Sequence, residues 1–124
     1  MARLARYANN GGKPNGEDPA STCSAANGTA CVGSYEPNAW GLYDMLGNVW
    51  EICLDWYQAS IQFANLDPEV GPKTGESYRT VRGGSWSSPA PDCRSARRIG
   101  RETWDIADSK TTGFRVVLCP AAIQ

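Results

Sequence analysis

"PNAWGLYDMLGNVWEICLDWY", residues 37–57, carries the clearest periodic signal in the chain. Within it Trp50, Ile52, Leu54 and Trp56 alternate with Glu51, Cys53, Asp55 and Tyr57. Side chains of a strand point to opposite faces in turn, so the pattern predicts a β-strand with one strongly apolar face. Downstream, "YRTVRGGSW" (78–86) reads as a second strand, ended by a Gly-Gly pair that predicts a bulge or a close backbone approach. "TGFRVVLC" (112–119) reads as a third. Residues 1–39 read as loop, being rich in turn-formers such as "NNGGKPNGEDPAS". A Pro- and Gly-bearing connection fills 58–77, and a long polar one fills 87–112. A connection of that length is usually functional or held down by something specific.

The chain has 124 residues, the size of one domain with a modest core. Hydrophobic residues make up 41% and charged residues 20%, and 13 Gly with 8 Pro favour loops and short strands. A net charge of −1 supplies no global field toward nucleic acid or membrane, and neither partner is expected. No apolar run reaches bilayer length, and "MARLARYANN" lacks the apolar region of a signal peptide. Histidine is absent. That excludes Ser-His-Asp and Cys-His nucleophiles, and His-ligated zinc, copper or iron, leaving oxygen or sulfur to hold any metal. Five cysteines, at 23, 31, 53, 93 and 119, show no CxxC spacing, which disfavours zinc ribbons and thioredoxin-type motifs. Cys23 and Cys31 share one small-residue loop and are either a disulfide or two buried thiols.

Four motifs in order, "PNAWGLYDMLGNVWEICLDWY", "VRGGSW", "CRSARR" and "GFRVV", resemble the formylglycine-generating enzyme (sulfatase-modifying factor) superfamily. The resemblance covers roughly residues 28–118 and implies an α+β, C-type-lectin-like fold with little regular structure. Family domains are longer, so the chain is expected to match the C-terminal part of one. Residues 1–39 would be a loop-rich lead-in and 40–124 the motif-bearing core. The superfamily includes variable proteins of diversity-generating retroelements, which diversify the segment between the "RGGSW"-like and "GFR"-like motifs and bind through it.

Active members hold copper(I) between two cysteines in the loop after the Gly-Gly-Ser motif, soft thiolates suiting a soft ion. Counted from Trp86, Ser88 stands at the first cysteine position and Cys93 at the second. A hard hydroxyl is no substitute for a thiolate, so copper is not expected and Cys93 reads as a structural cysteine. For calcium the resemblance implies ligands at Asp44, Gly47, Val49 and Glu51, two carboxylates and two carbonyls of the hard kind Ca²⁺ prefers. The alternative is that Asp44 caps a turn and Glu51 is solvated. The family's second calcium site is expected to be lost, since "CSAANGT" offers few carboxylates.

Arginines 82, 94, 97, 98, 101 and 115 make the C-terminal half locally basic. The forked guanidinium suits tying irregular backbone to carbonyls and to carboxylates such as Asp92, Asp105 and Asp108. Trp40, Trp50, Trp56 and Trp86 read as core, and Trp104 either as core or as a binding anchor. Together these readings predict a non-catalytic ligand-binding domain whose partner is a protein or other macromolecule. The binding face would comprise Ser87, Ser88, Ala90, Asp92, Arg97, Ile99, Arg101, Glu102, Trp104 and Asp105, over a buried frame of Gly83, Gly84, Trp86 and Phe114. The alternatives are a divergent sulfatase-modifying oxidase using Cys93, and a structural accessory domain.

Overall fold

A computed structural model describes residues 4–8, 28–59, 78–103 and 110–118. They form four strands, β1 (Trp50–Trp56), β2 (Tyr78–Arg82), β3 (Arg98–Glu102) and β4 (Thr112–Gly113), with one 3-10 turn at Ala90–Cys93. The sheet order is β3-β2-β1-β4, antiparallel except for the parallel β1–β4 pair. Of the expected α+β composition the β part is present, and the described residues contain no α-helix.

The alternation in β1 builds a strand as expected, but its apolar face is not continuous. Ile52 pairs with Val81 and Trp56 with Arg79, so four residue steps on β1 oppose two on β2. The extra residues form a bulge. Leu54 lies within it and is 81% exposed, whereas Trp50 at the strand's start is buried. The central strand β2 buries both Thr80 and Val81, adjacent residues that face opposite sides, so the sheet is covered on both faces there.

Two differences from the sequence-based expectation follow from pairing. The supposed long loop 87–112 contains β3, which pairs with β2 through five consecutive residue pairs from Tyr78–Glu102 to Arg82–Arg98. "RIGRE" has no apolar period of its own; the ladder of β2 recruits it. Conversely, only Thr112 and Gly113 of "TGFRVVLC" lie in a strand, paired with Trp50 and Glu51.

Glycines allow the close contacts that stitch the sheet to its surroundings. Gly47, at φ +74°, packs so tightly on Arg6 that a Cβ would lie 2.0 Å from the Arg6 carbonyl oxygen. Asn48 N–H donates to that oxygen (2.8 Å), and its side-chain amide exchanges hydrogen bonds with the backbone of Ala30. The lead-in is thus tied down at two places, and Ala8 N–H donates to the Ser88 carbonyl at a third. Cys31 is disulfide-bonded, while Cys23 of the expected pair lies outside the described residues. Trp40 corrects another expectation: it is 85% exposed rather than core.

Candidate functional site

The loop after β2 is shaped by two left-handed glycines, Gly83 at φ +91° and Gly84 at φ +78°. The chain turns there, passes Ser85–Ser88, and folds back through the 3-10 turn so that Cys93 lands under Gly84. A Cβ on Gly84 would stand 2.6 Å from Cys93 Sγ, which is the close approach the Gly-Gly pair predicted. Cys93 is fully buried, and that burial, with a smaller push from Asp92, raises its thiol above the ordinary range. A protonated, enclosed thiol is a poor nucleophile and a poor metal ligand.

Ser88 is also buried, at 7% exposure, and it is a polar hub. Its Oγ accepts the Ser85 N–H (3.0 Å) and lies 3.0 Å from Ser85 Oγ. The donor set therefore does not fit the two-thiolate copper site of active relatives: one position holds a hydroxyl used for structure, the other a shielded thiol.

Burial corrects the expected binding face. Ser87 is exposed, but Ser88 is not, and Ala90, Asp92, Arg97, Ile99, Arg101 and Glu102 are half-buried. The 3-10 turn and β3 press these residues against the sheet, which a free loop would not do. Trp104 and Asp105 lie outside the described residues. The frame needs correcting too: Gly84 is buried, Gly83 and Trp86 are half-buried, and Phe114 is 76% exposed. The exposed positions of the segment are Ser87, Pro89, Pro91, Arg94, Ser95 and Ala96, with Thr103 beyond β3. They are small or polar and cluster on the 3-10 turn and the bend after it.

The arginines do tie irregular backbone down. Arg82 donates to the Ser95 carbonyl, Arg94 to that of Pro91 and Arg98 to that of Gln58 (2.9–3.0 Å). Arg97 pairs with Asp92 at 3.1 Å, a part-exposed ion pair of small worth. Arg98 also lies over the Tyr57 ring, whose contact with Gly100 is so close that a Cβ there would clash at 2.7 Å.

At the other end of β1, Glu51 and Asp44 face a cation of the protein's own. Arg115 Nε donates to both Glu51 carboxylate oxygens (2.9 and 3.0 Å), its Nη2 donates to Glu51 Oε1, and the same Nη2 donates to the Tyr43 carbonyl. The Glu51 hydrogen bonds hold the Arg115 guanidinium above its usual pKa. Asp44 takes a left-handed backbone (φ 54°), which Asp tolerates better than most residues, and its Oδ2 accepts the Gly33 N–H (2.6 Å). Its Oδ1 is buried with no hydrogen-bond partner. That orphaned oxygen fits a hard cation, with Glu51 shared between the cation and Arg115. Among the described residues no three His, Cys, Asp or Glu side chains gather, so carbonyls such as those of Gly47 and Val49 would have to complete the shell.

Sequence reasoning missed a cavity of about 1100 Å³ between the 37–46 loop, β1 and the 114–117 run. Asp44, Glu51 and Arg115 lie on its wall beside Trp40, Leu54 and Phe114. The Glu51–Arg115 pair joins residues 64 apart in sequence, and only the resembled family's "GFR" motif marks Arg115 beforehand.

Comparison with known proteins places this geometry. The Sulfatase-modifying factor enzyme 1-like domain matches residues 2–119. The serine/threonine-protein kinase pkn1 of Chlamydia pneumoniae is 43% identical over 90 residues, 70% of this chain and 14% of the kinase. The formylglycine-generating enzyme of Thermomonospora curvata is 38% identical over 100 residues, 75% of this chain and 32% of the enzyme. Among solved structures, Treponema denticola variable protein 1 superposes with a TM-score of 0.65 at 32% identity, covering 90% of this chain and 34% of that protein. The chain thus spans about a third or less of the length of these relatives.

Proposed function

The chain belongs to the sulfatase-modifying factor enzyme 1-like domain family, and from that premise we propose that it is a non-catalytic, ligand-binding member of it. One observation carries the proposal: Ser88 Oγ is spent on Ser85 while the loop's only thiol, Cys93, is packed under Gly84 with its proton held on. Such a loop retains the turn of an oxidase site and lacks a reactive pair. What it presents to solvent instead is a set of small and polar positions on a backbone fixed by β3, the Gly-Gly turn and several arginines. A rigid frame with a tolerant tip suits recognition of a protein or other macromolecule. The likeness to Treponema denticola variable protein 1 supports the most specific form of this reading, a variable protein of a diversity-generating retroelement binding through residues 87–112. Calcium, held by Asp44 and Glu51 with the Gly47 and Val49 carbonyls, would brace the scaffold beside the Gly-Gly turn, whose Gly83 carbonyl accepts the Gly47 N–H, rather than act on a substrate.

The test is a display library randomised at Ser87, Arg94, Ser95 and Ala96 and selected against a panel of folded proteins. The proposal expects binders whose parent scaffold keeps its melting temperature. Loss of folding in most of the library would remove the display reading. The likeness to a formylglycine-generating enzyme favours the oxidase as the second reading, and it requires turnover of a cysteine peptide that depends on Cys93.

A further inference from the structure

We propose that the disulfide at Cys31 is a redox switch on the Asp44–Glu51 corner. Oxidised, it holds the turn whose backbone aims the Asp44 carboxylate; reduced, it lets that carboxylate go. The switch rests on the calcium reading above and gives that site a control.

The turn is Cys31–Ser34. The Cys31 carbonyl accepts both the Ser34 N–H (3.3 Å) and the Ser34 hydroxyl (2.7 Å), so the turn closes on the half-cystine itself. Gly33 is its third residue, at φ +73°, the left-handed region in which that position of a turn favours glycine. The Gly33 N–H donates to Asp44 Oδ2 at 2.6 Å. With Oδ2 fixed in this way, Oδ1 is left buried and without a hydrogen-bond partner. One carboxylate oxygen is spent on orientation and the other is left for a cation. Hydrogen bonds to a ligating carboxylate set its aim, and their loss lowers metal affinity by roughly 10–100-fold.

Little else holds the tip of this turn. Val32 is 86% exposed and Gly33 is exposed, so the tip contributes almost no buried apolar surface. The chain on either side is firm: Ala30 and Tyr35 are buried, and the Asn48 side chain bonds both the N–H and the carbonyl of Ala30. Loosening is therefore confined to 31–34 and does not unfold the domain. Cys53 and Cys93 are already thiols, so among the described cysteines only Cys31 responds to a reductant. A dithiol breaks the Cys31 S–S bond by exchange: it supplies two electrons and two protons and leaves as its own disulfide, and two thiols remain on the protein. Linkage makes the effect reciprocal. If reduction weakens calcium binding about tenfold, saturating calcium makes the disulfide about tenfold harder to reduce, or about 30 mV for this two-electron couple.

The experiment is calorimetric titration with calcium of three forms: the oxidised chain, the chain reduced by a dithiol that is then removed under nitrogen, and Cys31→Ser. Hydrogen exchange in the metal-free chain is the second readout, at Gly33 and Ser34 against Thr80 and Val81 of β2. The oxidised chain should bind calcium about tenfold or more tightly than the other two forms. Reduction should speed exchange at Gly33 and leave Thr80 and Val81 protected. Equal affinity in the oxidised and reduced chains overturns the switch and leaves the calcium reading standing, as does a Cys31→Ser variant that binds as tightly as the oxidised chain. No binding by the oxidised chain overturns both. Unchanged exchange at Gly33 on reduction also overturns the switch. So does lost protection at Thr80 and Val81, since the bond would then hold the whole fold rather than the turn.

Discussion

Gly84 sits directly against Cys93: a Cβ at position 84 would lie 2.6 Å from the Cys93 sulfur and 2.9 Å from its Cα. The glycine also holds φ +78°, which L side chains rarely adopt. Gly84→Ala should therefore cost about 2–4 kcal/mol through strain and overpacking together. Cys93→Ala in the same chain should recover part of that loss, because it removes the sulfur while the crowding by the residue-93 backbone and the strain at residue 84 persist. Urea denaturation of the four members of this cycle checks it. Strictly additive effects would show that the two residues do not meet.

The Cys93 thiol gives stability a pH dependence of known sign. Burial raises its pKa in the folded state, so the unfolded chain releases that proton first. The contribution is complete below the ordinary thiol pKa and is lost as pH climbs from there through the folded value. Cys53, half-buried and also raised by desolvation, acts in the same direction. Urea midpoints should fall as pH rises from about 7 to about 9.5, across the ordinary thiol range, and Cys93→Ala should flatten the fall. A slope unchanged in that variant would show that Cys93 is already solvated.

The sequence makes β1 and β2 readable because alternation and a Gly-Gly stop are local signals. It does not reveal β3, whose "RIGRE" owes its pairing to β2, nor the bulge that turns Leu54 outward. Ser88 looks like surface by residue type and is buried because three polar neighbours satisfy it: Ser85 N–H and Ser85 Oγ at its hydroxyl, and the Ala8 N–H at its carbonyl. Trp40 and Phe114 look like core by residue type and are exposed. The sequence carries the hydrophobicity of those rings but not their place outside the core. At the carboxylate corner the two acidic residues were evident, while their partner Arg115 depends on a chain crossing that no local pattern encodes.

Calcium should stabilise the domain through Asp44. With Oδ1 buried and unpartnered, a bound cation replaces an unmet need, and Ca²⁺ at about 100 times its Kd should add about 2.7 kcal/mol. EGTA should lower the melting temperature, and Asp44→Ala should abolish the difference. Arg115→Ala should tighten calcium binding, since it frees Glu51 and removes a like charge. An EGTA-insensitive melt, with no calcium by elemental analysis, would assign the corner to the Glu51–Arg115 pair alone.

Tolerance should follow the observed burial of the 87–103 segment. Substitutions at Ser87, Arg94, Ser95 and Ala96 should change stability by no more than about 0.5 kcal/mol. Ser88→Ala should cost about 1–3 kcal/mol, because it leaves the buried Ser85 N–H unpaired. Trp86→Ala, at a ring that is only half-buried, should fall short of the roughly 3–5 kcal/mol of a fully buried aromatic. Thermal scanning of this set checks the pattern, and uniform intolerance across it would make the segment core.

The most direct test of a non-catalytic assignment is the reaction itself. The chain is incubated with Cu(I), oxygen and a sulfatase-type peptide bearing its target cysteine, and formylglycine is measured by mass spectrometry. With Ser88 bound to Ser85 and Cys93 protonated beneath Gly84, the predicted result is no copper-dependent aldehyde above the peptide-only control. Turnover by the unaltered chain that disappears in Cys93→Ser would contradict the account.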